Sequence, residues 1–327
     1  MRNFSYVIFG SLLLGTVSIP AHAAEPVKIS INRSTQAVVH EIAVRKGFYK
    51  EQGVEIKTFA EGSGAVSLQA VVGGSVDLAV GLHTRVIQGL AKNLPLCIIS
   101  MVQYGLTSKI VVPVKDTTTK TLADLKGKRF AVQIGSGTYA ALLILFDSLG
   151  LKESDFEIKN MRTRGIPAAF ESGSLDAAAA WEPYASIMVS KGLARVVFDN
   201  VKWSKAGNIV YPVFLYGNCE WIEKNKASTQ KFVNAWIKAI KFIASDKEET
   251  IDLMAAAYKS WGIQIPRDKV AKGIYTQAYD KLAIDEASIK DSHNFAAIMY
   301  KTKKIRKLPD ITKSFRLEFQ NKALAGN

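Results

Sequence analysis

The chain repeats itself, and the repeat limits the folds open to it. "VKISIN" at 27–32 returns as "RFAVQI" at 129–134, and "VEIKTF" at 54–59 returns as "FEIKNM" at 156–161. "VVGGSVDLAVG" at 71–81 returns as "FESGSLDAAAA" at 170–180, with Gly74-Ser75-Val76-Asp77 over Gly173-Ser174-Leu175-Asp176. Each copy reads strand, polar loop, helix, Gly break, strand, loop, helix, Gly-Ser turn, strand. The strand segments are short apolar or β-branched runs. The helices show 3.6-residue spacing, as in Ala141, Leu142, Leu145, Phe146 and Leu149. Strands alternating with helices predict parallel sheets with right-handed crossovers, hence two similar α/β lobes.

Past residue 200 the repeat ends. "NIVYPVFLYGN" (208–218) reads as a return strand, and Glu220 onward is mostly helical, with a stripe at Phe232, Val233, Trp236, Ile240 and Ile243. Segments 107–113 and 206–213 then cross between lobes as a hinge. The expected organisation is a first lobe of 24–109 plus 210–327 and a second lobe of 110–209.

The start of the chain carries an export signal. Arg2 precedes an apolar run from Tyr6 to Ser18, followed by Pro20-Ala21-His22-Ala23. A charged start, an apolar stretch too short to span a membrane and an A-x-A site predict cleavage after Ala23 and an exported mature protein; the expected location is the periplasm and the expected state a monomer. The chain has 43 basic against 29 acidic residues, a net charge of +14. Such an excess fits an anionic small molecule or an acidic surface. The run Lys301-Thr-Lys-Lys-Ile-Arg-Lys307 has no interleaved aromatics, which argues against nucleic acid. Cys97 and Cys219 are the two cysteines; a disulfide and two buried thiols both remain open.

In open α/β sheets, ligands sit outside the carboxyl ends of the strands. The repeat names those loops in both lobes. After the first strands come Arg33-Ser34-Thr35-Gln36 and Gly135-Ser136-Gly137-Thr138. After the second come Glu61-Gly62-Ser63-Gly64 and Thr163-Arg164-Gly165-Ile166. After the third come Leu82-His83-Thr84-Arg85 and Trp181-Glu182-Pro183-Tyr184. The expected contact residues are Arg33, Ser34, Thr35, Gln36, Ser63, Gly64, His83, Thr84, Ser136, Gly137, Thr138, Tyr139, Arg164, Trp181 and Glu182. Ser136, Thr138 and Ser63 are the expected donors, Arg33 or Arg164 the charge partner, and Tyr139 and Trp181 the walls.

Enzyme signatures fail on inspection. Gly135, Gly137 and Ala140 have the spacing of a dinucleotide fingerprint, but no acid ends the next strand; Asp155 and Glu157 stand at its wrong end. No Lys-Ser or Lys-Thr follows the glycines, so a phosphate loop of the nucleotide-hydrolase type is excluded. "HEIAV" at 40–44 has Val44 where a zinc helix needs His. No Cys/His cluster has metal spacing, and neither cysteine falls in a cleft loop. Glu61 and Glu182 read as paired carboxylates or as ordinary helix-start acids. What is left of the glycine loop is a strand-to-helix turn whose amides and helix dipole suit a small anion. The expectation is binding without catalysis, metal or cofactor.

"LADLKGKRFAVQIGSGTYAALLILFDSLGL", "AAFESGSLDAAAAWEPYAS" and "LQAVVGGSVDLAVG" resemble the nitrate/sulfonate/bicarbonate and thiamine-precursor (NMT1/THI5-like) substrate-binding proteins of ABC importers. The likeness covers about residues 27–200. It implies a type II periplasmic binding fold with ligand held between two hinged lobes and delivered to an ABC permease with a cytoplasmic ATPase. By position it implies that Ser136, Gly137, Thr138 and Tyr139 start the ligand-holding helix and that Ser63 and Gly64 face them. Trp181-Glu182-Pro183 stands where such proteins often have Trp-Asp-Pro. Tyr139 replaces a His common in sulfonate and taurine binders, and Leu82-His83 replaces a common Gly-Asp. These departures leave pyrimidine or aromatic ligands open beside sulfonates and carboxylates. Enzymes of this fold carry a Cys in the loop after the first strand, and Arg33–Gln36 has none. A binding protein serving a membrane sensor is a further alternative.

Overall fold

In a computed structural model, residues 25–326 are described except 62, 208–210, 278 and 280–282. The expected export signal at 1–23 lies outside the described residues. Among the described residues, ten strands form two five-stranded sheets. They are β1 Val27–Asn32, β2 Ile56–Glu61, β3 Leu78–Leu82, β4 Leu96–Tyr104, β5 Ser108–Pro113, β6 Arg129–Val132, β7 Glu157–Asn160, β8 Ala177–Trp181, β9 Ala194–Phe198 and β10 Pro212–Asn218. The sheet orders are β2-β1-β3-β10-β4 and β7-β6-β8-β5-β9, the same arrangement twice. The repeat seen in the sequence is therefore a repeat in topology.

The repeated Gly-Ser-x-Asp turn does the same job in both sheets. Asp77 Oδ2 accepts from Lys28 N at 2.8 Å, and Asp176 Oδ2 accepts from Arg129 N at 2.9 Å. Each aspartate thus locks the third strand of its lobe to the start of the first. The sheets are not all-parallel as expected. β10 runs antiparallel to β3 and β4, and β5 antiparallel to β8 and β9. Each of these strands follows a crossing segment and enters its sheet from the opposite end. β5 already pairs with β8 at Ser108, ahead of the expected junction at 109/110. Part of the other crossing, 208–210, is outside the described residues.

The helices of the repeat are α1 Val38–Arg45, α2 Phe48–Glu51, α3 Gly64–Val72, α4 His83–Leu90, α5 Gly137–Ser148, α6 Ile166–Glu171, α7 Tyr184–Ser190 and α8 Asn200–Gly207. The tail adds α9 Cys219–Lys224, α10 Lys226–Ser245, α11 Lys247–Ser260, α12 Arg267–Tyr275, α13 Glu286–Lys301 and α14 Leu317–Ala325. No described helix is long and apolar enough to cross a membrane. The α10 stripe Phe232, Val233, Trp236, Ile240 and Ile243 is buried against the first lobe, and Trp236 Nε1 donates to Met101 O at 3.0 Å. Helix α5 is buried almost all round rather than on one face. It lies between its own strand β8 and helices α4 and α8, so the first lobe covers the side expected to face water. Cys97 and Cys219 form a disulfide joining β4 to the start of α9. That bond sits at the end of the first sheet away from the ligand loops.

Candidate functional site

Asn32, Leu82 and Trp181 end strands β1, β3 and β8, so their loops converge at the carboxyl ends of both sheets. Between the sheets is a cavity of about 30 Å³ lined by Asn32, Ser34, Gln36, Ser63, Gly64, Leu82 and Arg85 of the first lobe and Ser136, Gly137, Thr138 and Trp181 of the second. Local chemistry sets each loop. Ser34 Oγ accepts from Gln36 N at 3.3 Å, and Ser136 Oγ accepts from Tyr139 N at 3.1 Å, the pattern of helix-start serines. Ser63 holds the corresponding position before α3 but caps no amide with its side chain, which leaves its hydroxyl available. Thr138 Oγ1 is paired at 2.7 Å with Ser108 Oγ. The N-termini of α3 and α5 thus face the cavity from opposite lobes, both presenting the positive ends of their dipoles.

Arg85 stands between them. Its Cγ would be 3.6 Å from a Cβ at Gly64, and its Nη2 would be 4.0 Å from one at Gly135 across the cleft. Gly135 has φ of +83°, a left-handed turn that a side chain would strain. Arg85 Nη1 donates to Gln88 Oε1 at 2.6 Å, while its buried Nε has no partner. Burial pulls the guanidinium pKa below its ordinary value, and the neighbouring Tyr216 hydroxyl acts the other way. An arginine remains charged in a protein, so this is a partly buried cation. Among the described residues no carboxylate pairs with it. Asn32 Oδ1 and Tyr216 Oη are also buried without partners, a polar set short of its complement.

Eight of the expected residues meet at this cavity: Ser34, Gln36, Ser63, Gly64, Ser136, Gly137, Thr138 and Trp181. The others lie off its wall. Arg33 and Arg164 are exposed, and both lie near enough to the Tyr184 hydroxyl to favour its ionised form. Thr35 is buried toward the tail, its Cγ2 3.2 Å from a Cβ at Gly273 of α12. Thr84 is buried at the start of α4. His83 turns into the core between Tyr211 and Phe295, with Nδ1 3.2 Å from Pro212 O. Burial pushes its pKa down to about 3, so it is a neutral core imidazole. Tyr139 points away, its hydroxyl donating to Glu153 Oε1 at 2.5 Å. Glu182 is buried in an ion pair with Lys109 and accepts from Ser186 N at 3.1 Å, which makes it a helix-start acid.

Sequence reasoning left Asn32, Leu82 and Arg85 out of the contact set. The signal for Arg85 was there. His83, Val86, Ile87 and Leu90 recur at i, i+3, i+4 and i+7, so His83 belongs to the core stripe and Arg85 to the other face. Asn32 was hidden as the last residue of a strand.

With this geometry in place, residues 35–250, more than half of the 327, match the family described as NMT1/THI5 like. The chain belongs to that family. A candidate aliphatic sulfonates-binding protein of Escherichia coli (strain K12) is 26% identical over 272 residues, covering 81% of this chain and 82% of that one. The alkanesulfonate-binding protein SsuA from Xanthomonas axonopodis pv. citri, solved with MOPS bound, superposes with a TM-score of 0.75 at 21% identity, over 89% of this chain and 97% of that one. The desulfurization enzyme DSZB superposes at 0.68 with 15% identity, over 92% and 99%. The NMT1/THI5-like chain therefore has the type II periplasmic binding fold, a fold shared by binding proteins and an enzyme.

Proposed function

We propose that this NMT1/THI5-like chain is an exported solute-binding protein that captures a small organic anion between its lobes for an ABC permease with a cytoplasmic ATPase. Arg85 carries the reading, as a half-buried cation with no carboxylate partner among the described residues, set between the N-termini of α3 and α5. A sulfonate or carboxylate supplies the missing charge and accepts from the guanidinium, the Ser63 hydroxyl and the free amides of both helices. Arg85 replaces Arg33 and Arg164 as the principal charge partner; those two stay exposed near the Tyr184 hydroxyl. Ligand bridging both lobes favours the closed form over an open one about the two crossing segments. The names of the relatives support sulfonates as the first class to try. The loop Arg33–Gln36 holds no cysteine nucleophile, which supports binding without turnover.

A thermal-shift screen of residues 24–327 against ethanesulfonate, taurine, aromatic carboxylates and pyrimidines tests the class, because a ligand for the native state raises Tm by mass action. A rise with sulfonates or carboxylates, absent for pyrimidines, is expected. A rise with neutral pyrimidines alone overturns the anion assignment.

A further inference from the structure

We propose that the outer face of the first lobe holds a second binding site, for an amphiphilic anion with an apolar body. Helices α3 and α4 run side by side away from the cleft. Between them, and under the turn that follows α13, lies a groove of about 1010 Å³. Its floor is apolar: Leu68 and Val72 from α3, Leu94 beyond α4, and the buried Ile305. Its rim is cationic: Lys92, Lys303, Lys304 and Arg306. No acidic residue lines it, and among the described residues none of these four cations forms an ion pair.

The basic run at 301–307 thus has a location that the cleft does not explain. Its turn ends α13 with a left-handed residue. Lys303 has φ of +59° and Asn93, at the other edge, has φ of +58°; these are the described non-glycine residues in that region. Lys307 Nζ donates to Asn93 Oδ1 at 3.0 Å and ties the two edges together. Lys303 and Asn93 are both helix stops of the usual left-handed kind, with Lys304 N donating to Met299 O after α13 and Leu94 N to Gly89 O after α4, so the two helix ends form the groove's edges.

Charge complementarity and size select the occupant. Four cations around an apolar floor match an anionic head on an alkyl or ring body, and the volume is at the upper end of small-molecule sites. Along α4 and its C-cap the groove runs from Arg85 to Ala91, about 9 Å at a helical rise of 1.5 Å per residue, which is short for a partner helix. Arg85 lines both this groove and the cleft, so the two sites share a wall. The groove assignment stands independently of the ligand assigned to the cleft.

Titration calorimetry with octane-1-sulfonate and with ethanesulfonate tests it on the mature chain and on Lys304→Glu/Arg306→Glu. Octanesulfonate is expected to fill two sites per chain in the parent. The double variant loses one of them, with at least a tenfold fall in affinity, while its Tm and its ethanesulfonate binding stay as in the parent. If ethanesulfonate fails to bind but octanesulfonate binds in a variant-sensitive way, the groove stands and the cleft assignment falls. Octanesulfonate binding that is unchanged in the double variant overturns the proposal. So does retention by phosphatidylglycerol vesicles, sensitive to the same pair, with no binding of free octanesulfonate.

Discussion

A Cβ added at Gly137 of the second lobe would stand 2.5 Å from Leu82 Cδ1 and 3.1 Å from Leu82 Cβ of the first. The start of the ligand-facing helix α5 is therefore pressed against the end of β3 in the opposite lobe. Glycine permits that approach, and the cavity closes only because of it. Gly137→Ala should hold the lobes apart and weaken ligand binding about tenfold, or about 1.4 kcal/mol. Leu82→Ala in the same chain should restore part of the loss. Calorimetry on the two variants checks this, and equal affinity in Gly137→Ala and the parent would remove the closure argument.

The Lys109–Glu182 pair sits behind the Trp181 wall, with both side chains almost fully buried. Lys109→Met leaves the Glu182 carboxylate buried without its cation, at a cost of about 3–5 kcal/mol. Lys109→Met/Glu182→Leu removes the stranded charge and should be less destabilised than the single variant. Urea unfolding gives both numbers. A single variant within about 0.5 kcal/mol of the parent, the range of an ordinary surface substitution, would mean the pair is solvated.

The Cys97–Cys219 bond closes a loop across a separation of 122 residues. Replacing both cysteines with Ala should lower stability by about 2–5 kcal/mol. Because the bond lies at the far end of the first sheet, ligand affinity measured well below the melting temperature should not change.

Acid should destabilise the fold through two imidazoles. Burial pushes the pKa values of His40 and His83 down to about 3 from an ordinary 6.5. Between those values the unfolded chain binds more protons than the folded one, so stability falls as pH drops from 6.5 and levels off near 3. Each imidazole contributes a slope of about 1.4 kcal/mol per pH unit. His83→Gln should flatten the acid limb of a stability-against-pH curve; an unchanged slope would show that His83 is already exposed to protons.

The fold was legible because the repeat is carried by backbone chemistry. Asp77 and Asp176 hold equivalent strands by equivalent bonds, and their Gly-Ser-x-Asp turns are visible in the letters. The cleft was legible for small hydroxyl residues at helix starts, where side-chain role follows from position. It was less legible for large side chains. Tyr139, Glu182 and His83 sit in the right loops but turn toward Glu153, Lys109 and Phe295, partners distant in sequence or on other elements. Both Arg33 and Arg85 are loop arginines in the sequence, and the expectation favoured Arg33. The His83, Val86, Ile87 and Leu90 stripe puts Arg85 off the core face of α4, and the packing of α4 against α3 and α5 half-buries it while Arg33 stays exposed.

The central claim is that Arg85 holds the ligand's negative charge. Calorimetry of ethanesulfonate against the parent and Arg85→Ala at fixed ionic strength tests it most directly. A lost charged hydrogen bond predicts a fall of about 1.5–3 kcal/mol, roughly tenfold to more than a hundredfold in affinity. Equal affinities in the two proteins would contradict the account and shift the search for the charge partner to the exposed Arg33 and Arg164.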